Sequence, residues 1–317
     1  MSPNSWICLH PSNATQTTVS LDNRGLAYGD GFFTTMGVID GQILWLDYHQ
    51  QRLVSHATAL QLQLDSQLLL AMLKIHAKQL QQGMLKLIIT RAEQEVRGYG
   101  YTPNIGGGSA CEIWLKSSPM AITTARSLPL ADGQFIPLQP TASAICLSSQ
   151  IACLPPTLAG LKSLNRLDNV LASGELQAIK AKTLAGTIKP SIAEGLLRDI
   201  SGHWVEGTMS NVFYQLVEEP VAKSSNRPHS QNNSNSNYLT QGQWYTPSMA
   251  QSGVAGVMRQ VIIDTLSTSN NPVIIRSLQD EDLPHLSQLF FCNALRGIMP
   301  MSSLRLLSGE VVSFEAI

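Results

Sequence analysis

The stretch KSLNRLDNVLA, residues 162–172, sets a lysine ahead of a run in which Leu164, Leu167, Val170 and Leu171 recur at helical spacing. A lysine at the mouth of such a helix can face a cavity while the helix packs beneath it. Held in place and partly desolvated, its amine can exchange a covalent partner and act as a base. Taken alone, Lys162 reads far more readily as an ordinary surface lysine before a helix, so its meaning depends on the segments around it.

Three further segments supply that context. In VEGTMSNVF (205–213), Glu206 ends one strand and Asn211 opens the next, so both can border one pocket. In AGVMRQVIIDTL (255–266), Gly256 and the preceding Gly253 free the backbone before a helix whose apolar face is Val257, Val261, Ile262 and Leu266. The backbone N–H groups of Val257 and Met258 then point outward without helical partners, which suits an anion. In WLDYHQQRL (45–53), Arg52 follows Asp47–Tyr48 by one helical turn, and its guanidinium fork can close over the same anion.

Outward from these segments, strands and helices alternate. Gln42–Leu46 reads as a strand after the Asp40–Gly41 turn, and Asp47 as the cap of a helix bearing Leu53, Ala57 and Leu60. Ser66–Gln81 reads as a second helix closed by Gly83, and Leu85–Thr90, Cys111–Lys116 and Ala144–Ser149 as buried strands. Ile192–Ile200 and Trp204–Glu206 flank a Ser201–Gly202 turn as a hairpin, and Asn211–Val217 is a further strand. The weakly patterned stretch Pro119–Pro140 places a domain boundary near its start, giving an α/β unit over 1–122 and a second over 123–317. The Ser- and Asn-rich run at 223–237 cannot bury enough surface to offset its ordering entropy and reads as a disordered insertion.

Composition narrows the partners. With 317 residues, 44% hydrophobic and 14% charged, the chain can bury a substantial core, and its net charge of -1 gives no footprint for nucleic acid or an anionic membrane. Five scattered cysteines without a CxxC pair indicate neither a disulfide framework nor zinc, and the seven histidines show no HxxxH or HExxH spacing. Gly29–Asp30–Gly31 lacks the third glycine of a dinucleotide loop. Without a signal peptide or an apolar run of about 20 residues, a cytoplasmic enzyme acting on a small molecule is expected.

Taken in order, RGLAYGDGFFTT (24–35), Arg52, KSLNRLDNVLA, VEGTMSNVF, AGVMRQVI and CNALRGIMP (292–300) resemble the class IV, or fold-type IV, pyridoxal-phosphate-dependent aminotransferases. The resemblance covers nearly the whole chain. It implies a mixed α/β fold, with a smaller N-terminal α/β domain and a larger, barrel-like C-terminal α/β domain, assembled as a homodimer. It makes Lys162 the Schiff-base lysine and Glu206 the partner of the pyridine nitrogen. Arg52, the backbone of Val257 and Met258, and the Asn293 loop become phosphate contacts.

Several stretches, including AGVMRQ (255–260) and the RGYGY loop, are closest to the family's lyase branch. That branch eliminates enolpyruvate from an amino-cyclohexadiene dicarboxylate and leaves an aromatic amine. The alternative is transamination of D- or branched-chain amino acids. A dicarboxylate substrate makes Arg97 and Arg296 candidate carboxylate partners, and Tyr28, Thr34 and Thr35 lie on the implied pocket strand; Phe32 and Phe33 read as core.

Overall fold

The structure is a computed structural model that describes residues 6–10, 18–103, 108, 110–122, 126–130, 134–184, 192–217, 239 and 241–314; the run at 223–237 lies outside these residues. The first part of the chain forms β1 (Trp6–His10), α1 (Arg24–Tyr28), β2 (Gly31–Ile39), β3 (Gln42–Ile43), α2 (Leu46–Ala59), α3 (Ser66–Leu80), β4 (Gly83–Arg91) and β5 (Cys111–Pro119). Its strands make a five-stranded sheet in the order β1-β5-β4-β2-β3, antiparallel at each pairing. Alternate residues, Phe32 and Met36 of β2 and Leu85, Leu87 and Ile89 of β4, pack with Leu53, Ala57, Leu69, Leu73 and Ala77 of the two long helices. Each of the Leu, Ile, Phe and Met side chains contributes about 1.5–3 kcal/mol on burial, which fixes α2 and α3 on one face. The opposite face leaves Phe33, Thr35 and Lys86 half-buried.

Two local readings change here. Trp45 adopts a left-handed conformation with φ 59 and no side-chain cap bond, so α2 begins at Leu46 and Asp47 lies inside its first turn. Asp47 therefore meets the helix dipole rather than capping it, and the strand expected to reach Leu46 stops at Ile43. Asp65 does cap α3, accepting from Leu68 N at 2.9 Å.

The second part forms β6 (Arg126–Pro129), β7 (Phe135–Leu138), β8 (Ala142–Ile151), α4 (Leu167–Leu184), β9 (Ile192–Asp199), β10 (Trp204–Gly207), β11 (Asn211–Leu216), β12 (Tyr245–Thr246), α5 (Val257–Leu266), β13 (Ile274–Ile275), β14 (Leu286–Asn293), β15 (Gly297–Arg305) and β16 (Val311–Ser313). Among the described residues these strands form one 11-stranded sheet. Within it β8, β9, β10, β11, β14 and β15 pair in a closed ring, since β14 joins β11 to β15 and β15 pairs with β8. Closure removes the edges of those strands and gives the barrel-like body of this mixed α/β fold. The weakly patterned stretch after Pro119 holds β6 and β7; Pro129 and Pro137 interrupt their alternation, and β6 lies at the end of the sheet, where proline is tolerated.

α4 departs from the expected packing. It starts at Leu167, not just after Lys162, and buries Ala172 and Leu176 against β8 and β9. Leu167, Val170 and Leu171 are 78%, 61% and 71% exposed, so the apolar stripe read from the sequence faces away from the chain's own core.

Candidate active site

Residues 162–164 run beside the first residues of β2. Phe33 N donates to the Lys162 carbonyl and Leu164 N to the Gly31 carbonyl, each at 3.0 Å, while Lys162 N donates to His56 Nε2 at 2.9 Å. With its backbone held on both sides, Lys162 lays its Nζ 4.5 Å from the centre of the Phe33 ring. Burial lowers the Lys162 pKa to about 8, helped by Arg52 and, more weakly, Arg166 and Lys86, and opposed by Glu206. A substantial fraction of the amine is therefore neutral near pH 8, as a base or nucleophile requires.

Glu206 stands opposite Asn211 in the β10–β11 hairpin. Its carboxylate is buried and accepts from Val254 N at 2.8 Å and Asn169 Nδ2 at 3.3 Å. Burial raises its pKa, against the pull of Val254 N, Arg166, Asn169 and Lys162. A residue that sequence reasoning missed, Glu194, fixes the hairpin turn: its buried carboxylate accepts from Thr208 N and Oγ1 at 3.0 and 2.5 Å and from Ser210 Oγ at 2.7 Å.

Arg52 spans the two sheets. It reaches from α2 to the Ala255 carbonyl at 2.6 Å and to Thr34 Oγ1 at 3.5 Å, and Thr34 Oγ1 also meets His49 Nδ1 at 2.9 Å. Two residues beyond Ala255, α5 begins after Gly256 with no side-chain cap bond, which leaves the Val257–Met258 end without a capping acceptor. Gly256 is required by close approach: a Cβ there would lie 1.9 Å from Asn211 Oδ1. The buried face of α5 contains Val257, Val261, Ile262 and Leu266 as expected, together with Met258.

The remaining candidates divide. Thr35 lies on the half-buried face of β2 opposite Lys86, whereas Thr34 is buried on the helix side and supports Arg52 and His49. Phe33 is not core; it shares the Thr35 face and has both the Lys162 and Lys86 amines near its ring, Lys86 Nζ at 5.5 Å from the centre. The period of two along β2 already separates Phe32 from Phe33, and applying it strictly would have found Phe33 and then Lys86.

Tyr28 lines a cavity of about 330 Å³ with Arg24, Tyr99, Ser163 and Asn165. Arg97 is exposed in the loop after β4, whose Gly98 and Tyr99 carbonyls accept from Arg24 at 3.5 and 3.3 Å. Asn293 Oδ1 accepts from Leu295 N and Arg296 N at 3.1 and 2.8 Å, so its amide shapes the β14–β15 turn, and Arg296 is exposed on that turn. Lys162 is thus coupled electrostatically to both Glu206 and Arg52, while no described bond joins Arg97, Arg296 or Asn293 to them.

The sequence pattern of amino-transferase class IV matches residues 31–304, which include every member of this group. The chain belongs to the class IV aminotransferase family. The family is pyridoxal-phosphate dependent, so this class IV protein is an enzyme of a cofactor-using family. It is 25% identical over 290 residues to an aminodeoxychorismate lyase of Vibrio harveyi, covering 91% of this chain and 88% of that protein. The crystal structure of 4-amino-4-deoxychorismate lyase from Pseudomonas aeruginosa matches with a TM-score of 0.70 at 28% identity, covering 95% of this chain and 92% of that one. The branched-chain amino acid aminotransferase of Escherichia coli shares the fold, with a TM-score of 0.62 at 19% identity and coverage of 90% and 81%.

The class IV cofactor fits the residues present. Arg52 and the uncapped start of α5 suit a phosphate, the buried Glu206 carboxylate suits a protonated ring nitrogen, and Lys162 suits an aldehyde. Arg166 Nε and Asn169 Oδ1 are buried without hydrogen-bond partners beside Glu206, as polar atoms awaiting a polar ligand would be.

Proposed function

We propose that this protein is a lyase that converts 4-amino-4-deoxychorismate to 4-aminobenzoate and pyruvate with pyridoxal phosphate. The observation that carries the chemistry is the Lys162 amine, held over Phe33 with a pKa lowered to about 8, in the same site as a buried carboxylate. The likeness to the two lyases above supports the choice of substrate.

In this reading Lys162 would hold the cofactor's aldehyde carbon and Glu206 would accept a hydrogen bond from its ring nitrogen. Arg52 and the N–H groups of Val257 and Met258 would hold its phosphate. Bound there, the cofactor supplies an electron sink for the pair left by a departing proton. Lys162 Nζ, released when the substrate amine takes its place, would remove the proton from the ring carbon bearing that nitrogen. Cleavage of the carbon–oxygen bond on the adjacent carbon then frees enolpyruvate and leaves an aromatic ring. Lys86, on the same face as Thr35 and near the Phe33 ring, is one cation for a substrate carboxylate; Arg97 and Arg296 are further cationic candidates and Tyr28 and Thr35 polar ones.

Supplied with aminodeoxychorismate, the holoenzyme should release 4-aminobenzoate and pyruvate in equal amounts. Rapid turnover of D-alanine or leucine with 2-oxoglutarate, without that release, would instead establish the transaminase reading.

The proposal includes a cytoplasmic homodimer and a division of the chain near residue 122. No described helix is long and apolar enough to cross a membrane. The exposed Leu167, Val170 and Leu171 stripe supports self-association, because an apolar stripe along one helix face usually marks an interface. Leu171→Glu should weaken that association by roughly 100-fold or more, shifting sedimentation velocity from dimer toward monomer. An unchanged dimer would place the interface elsewhere.

A further inference from the structure

We infer that His56 is a positioning residue for Lys162, an assignment that rests on reading Lys162 as the lysine that holds the cofactor covalently. The Lys162 backbone N–H must donate, so the His56 Nε2 that meets it at 2.9 Å carries no proton. The proton of the neutral ring then sits on Nδ1, which faces Ser55 Oγ at 3.2 Å, and the Ser55 hydroxyl donates onward to the Arg52 carbonyl at 3.1 Å. A directed chain therefore runs from the lysine backbone through the imidazole to the helix segment carrying Arg52.

The ring is also fixed by packing. His56 is buried, and the Phe32 ring meets it edge-on with centres 5.3 Å apart. Burial, aided by Arg52, Arg166 and Lys162, lowers the His56 pKa to about 3, so the accepting nitrogen stays bare at neutral pH. Arg52 lies one helical turn before His56 on α2. That helix accordingly sets the spacing between the group proposed to hold phosphate and the lysine proposed to hold the aldehyde. This role is invisible at the level of the sequence, because His56 has neither metal spacing nor a local partner for Nε2.

The test compares two ligands on protein stripped of cofactor. Pyridoxal phosphate engages the lysine, whereas pyridoxamine phosphate shares its ring and phosphate but has no aldehyde. His56→Leu should weaken pyridoxal phosphate by roughly tenfold or more and leave pyridoxamine phosphate within about twofold of the unsubstituted protein. His56→Gln, whose Oε1 can stand in for Nε2, should recover most of the loss. Ser55→Ala, at an exposed position, should act in the same direction by a few-fold and serves if His56→Leu does not fold.

Equal losses for both ligands, no loss for either, or a glutamine variant as weak as leucine would overturn the assignment. If the unsubstituted protein itself shows no preference for the aldehyde, the reading of Lys162 fails and takes this assignment with it. That outcome is recognisable before any variant is made.

Discussion

Lys162→Ala is expected to abolish turnover, by roughly 10⁴-fold or more, and to leave no cofactor that borohydride can fix to the chain. The size of the loss follows from asking one amine to serve twice, as covalent anchor and as base, so no neighbour can cover for it. Lys86 is the nearest candidate, but it reaches the Phe33 ring from β4, whereas Lys162 approaches from a segment bonded along β2. An alanine enzyme with near-normal turnover would remove the central claim.

The same lysine has a signature in stability. The Lys162 pKa falls from 10.5 to about 8 on folding, so between those values the unfolded chain holds a proton that the folded chain has released. Stability from this group therefore rises with pH across that window. In the cofactor-free protein, Lys162→Met should gain stability over the parent below pH 8, and the gain should shrink as pH approaches 10.5. Denaturant midpoints at several pH values measure it.

Glu206→Gln is expected to keep the borohydride-trappable cofactor but to lower turnover by about 10²–10³-fold. Glutamine can still accept from Val254 N, so the local fold survives; the negative charge that favours a protonated ring is lost. Here the pH dependence has the opposite direction. Burial raises the Glu206 pKa, so the folded chain holds its proton longer and loses stability as pH rises through the carboxylate range. Glu206→Gln should remove that loss from the cofactor-free protein. Full activity in the glutamine enzyme would exclude Glu206 as the ring partner.

The long periodic elements were legible in the sequence, as were the two ends of the β10–β11 hairpin. α3, β4, β5 and α5 follow their apolar spacing because local burial decides them. What was hidden depended on partners distant in sequence. His56 looks like any helix histidine until Lys162 lies against it, and Glu194 looks like a strand carboxylate until the turn at 207–210 folds onto it. α4 shows a related limit: helical spacing marks Leu167, Val170 and Leu171 as one apolar stripe, but the core takes Ala172 and Leu176 instead. Phe33 was legible and misread, since strand alternation separates it from Phe32.

The bond from Arg52 to the Ala255 carbonyl joins positions 203 apart, and that from Lys162 to His56 joins positions 106 apart. Contacts of such separation form late, after the entropy of closing long loops has been met. During synthesis α2 emerges long before α5 exists, so the proposed cofactor pocket has no partial form to offer. Cofactor capture should then follow completion of the whole chain, and once bound the ligand should slow unfolding by holding shut the last contacts to form.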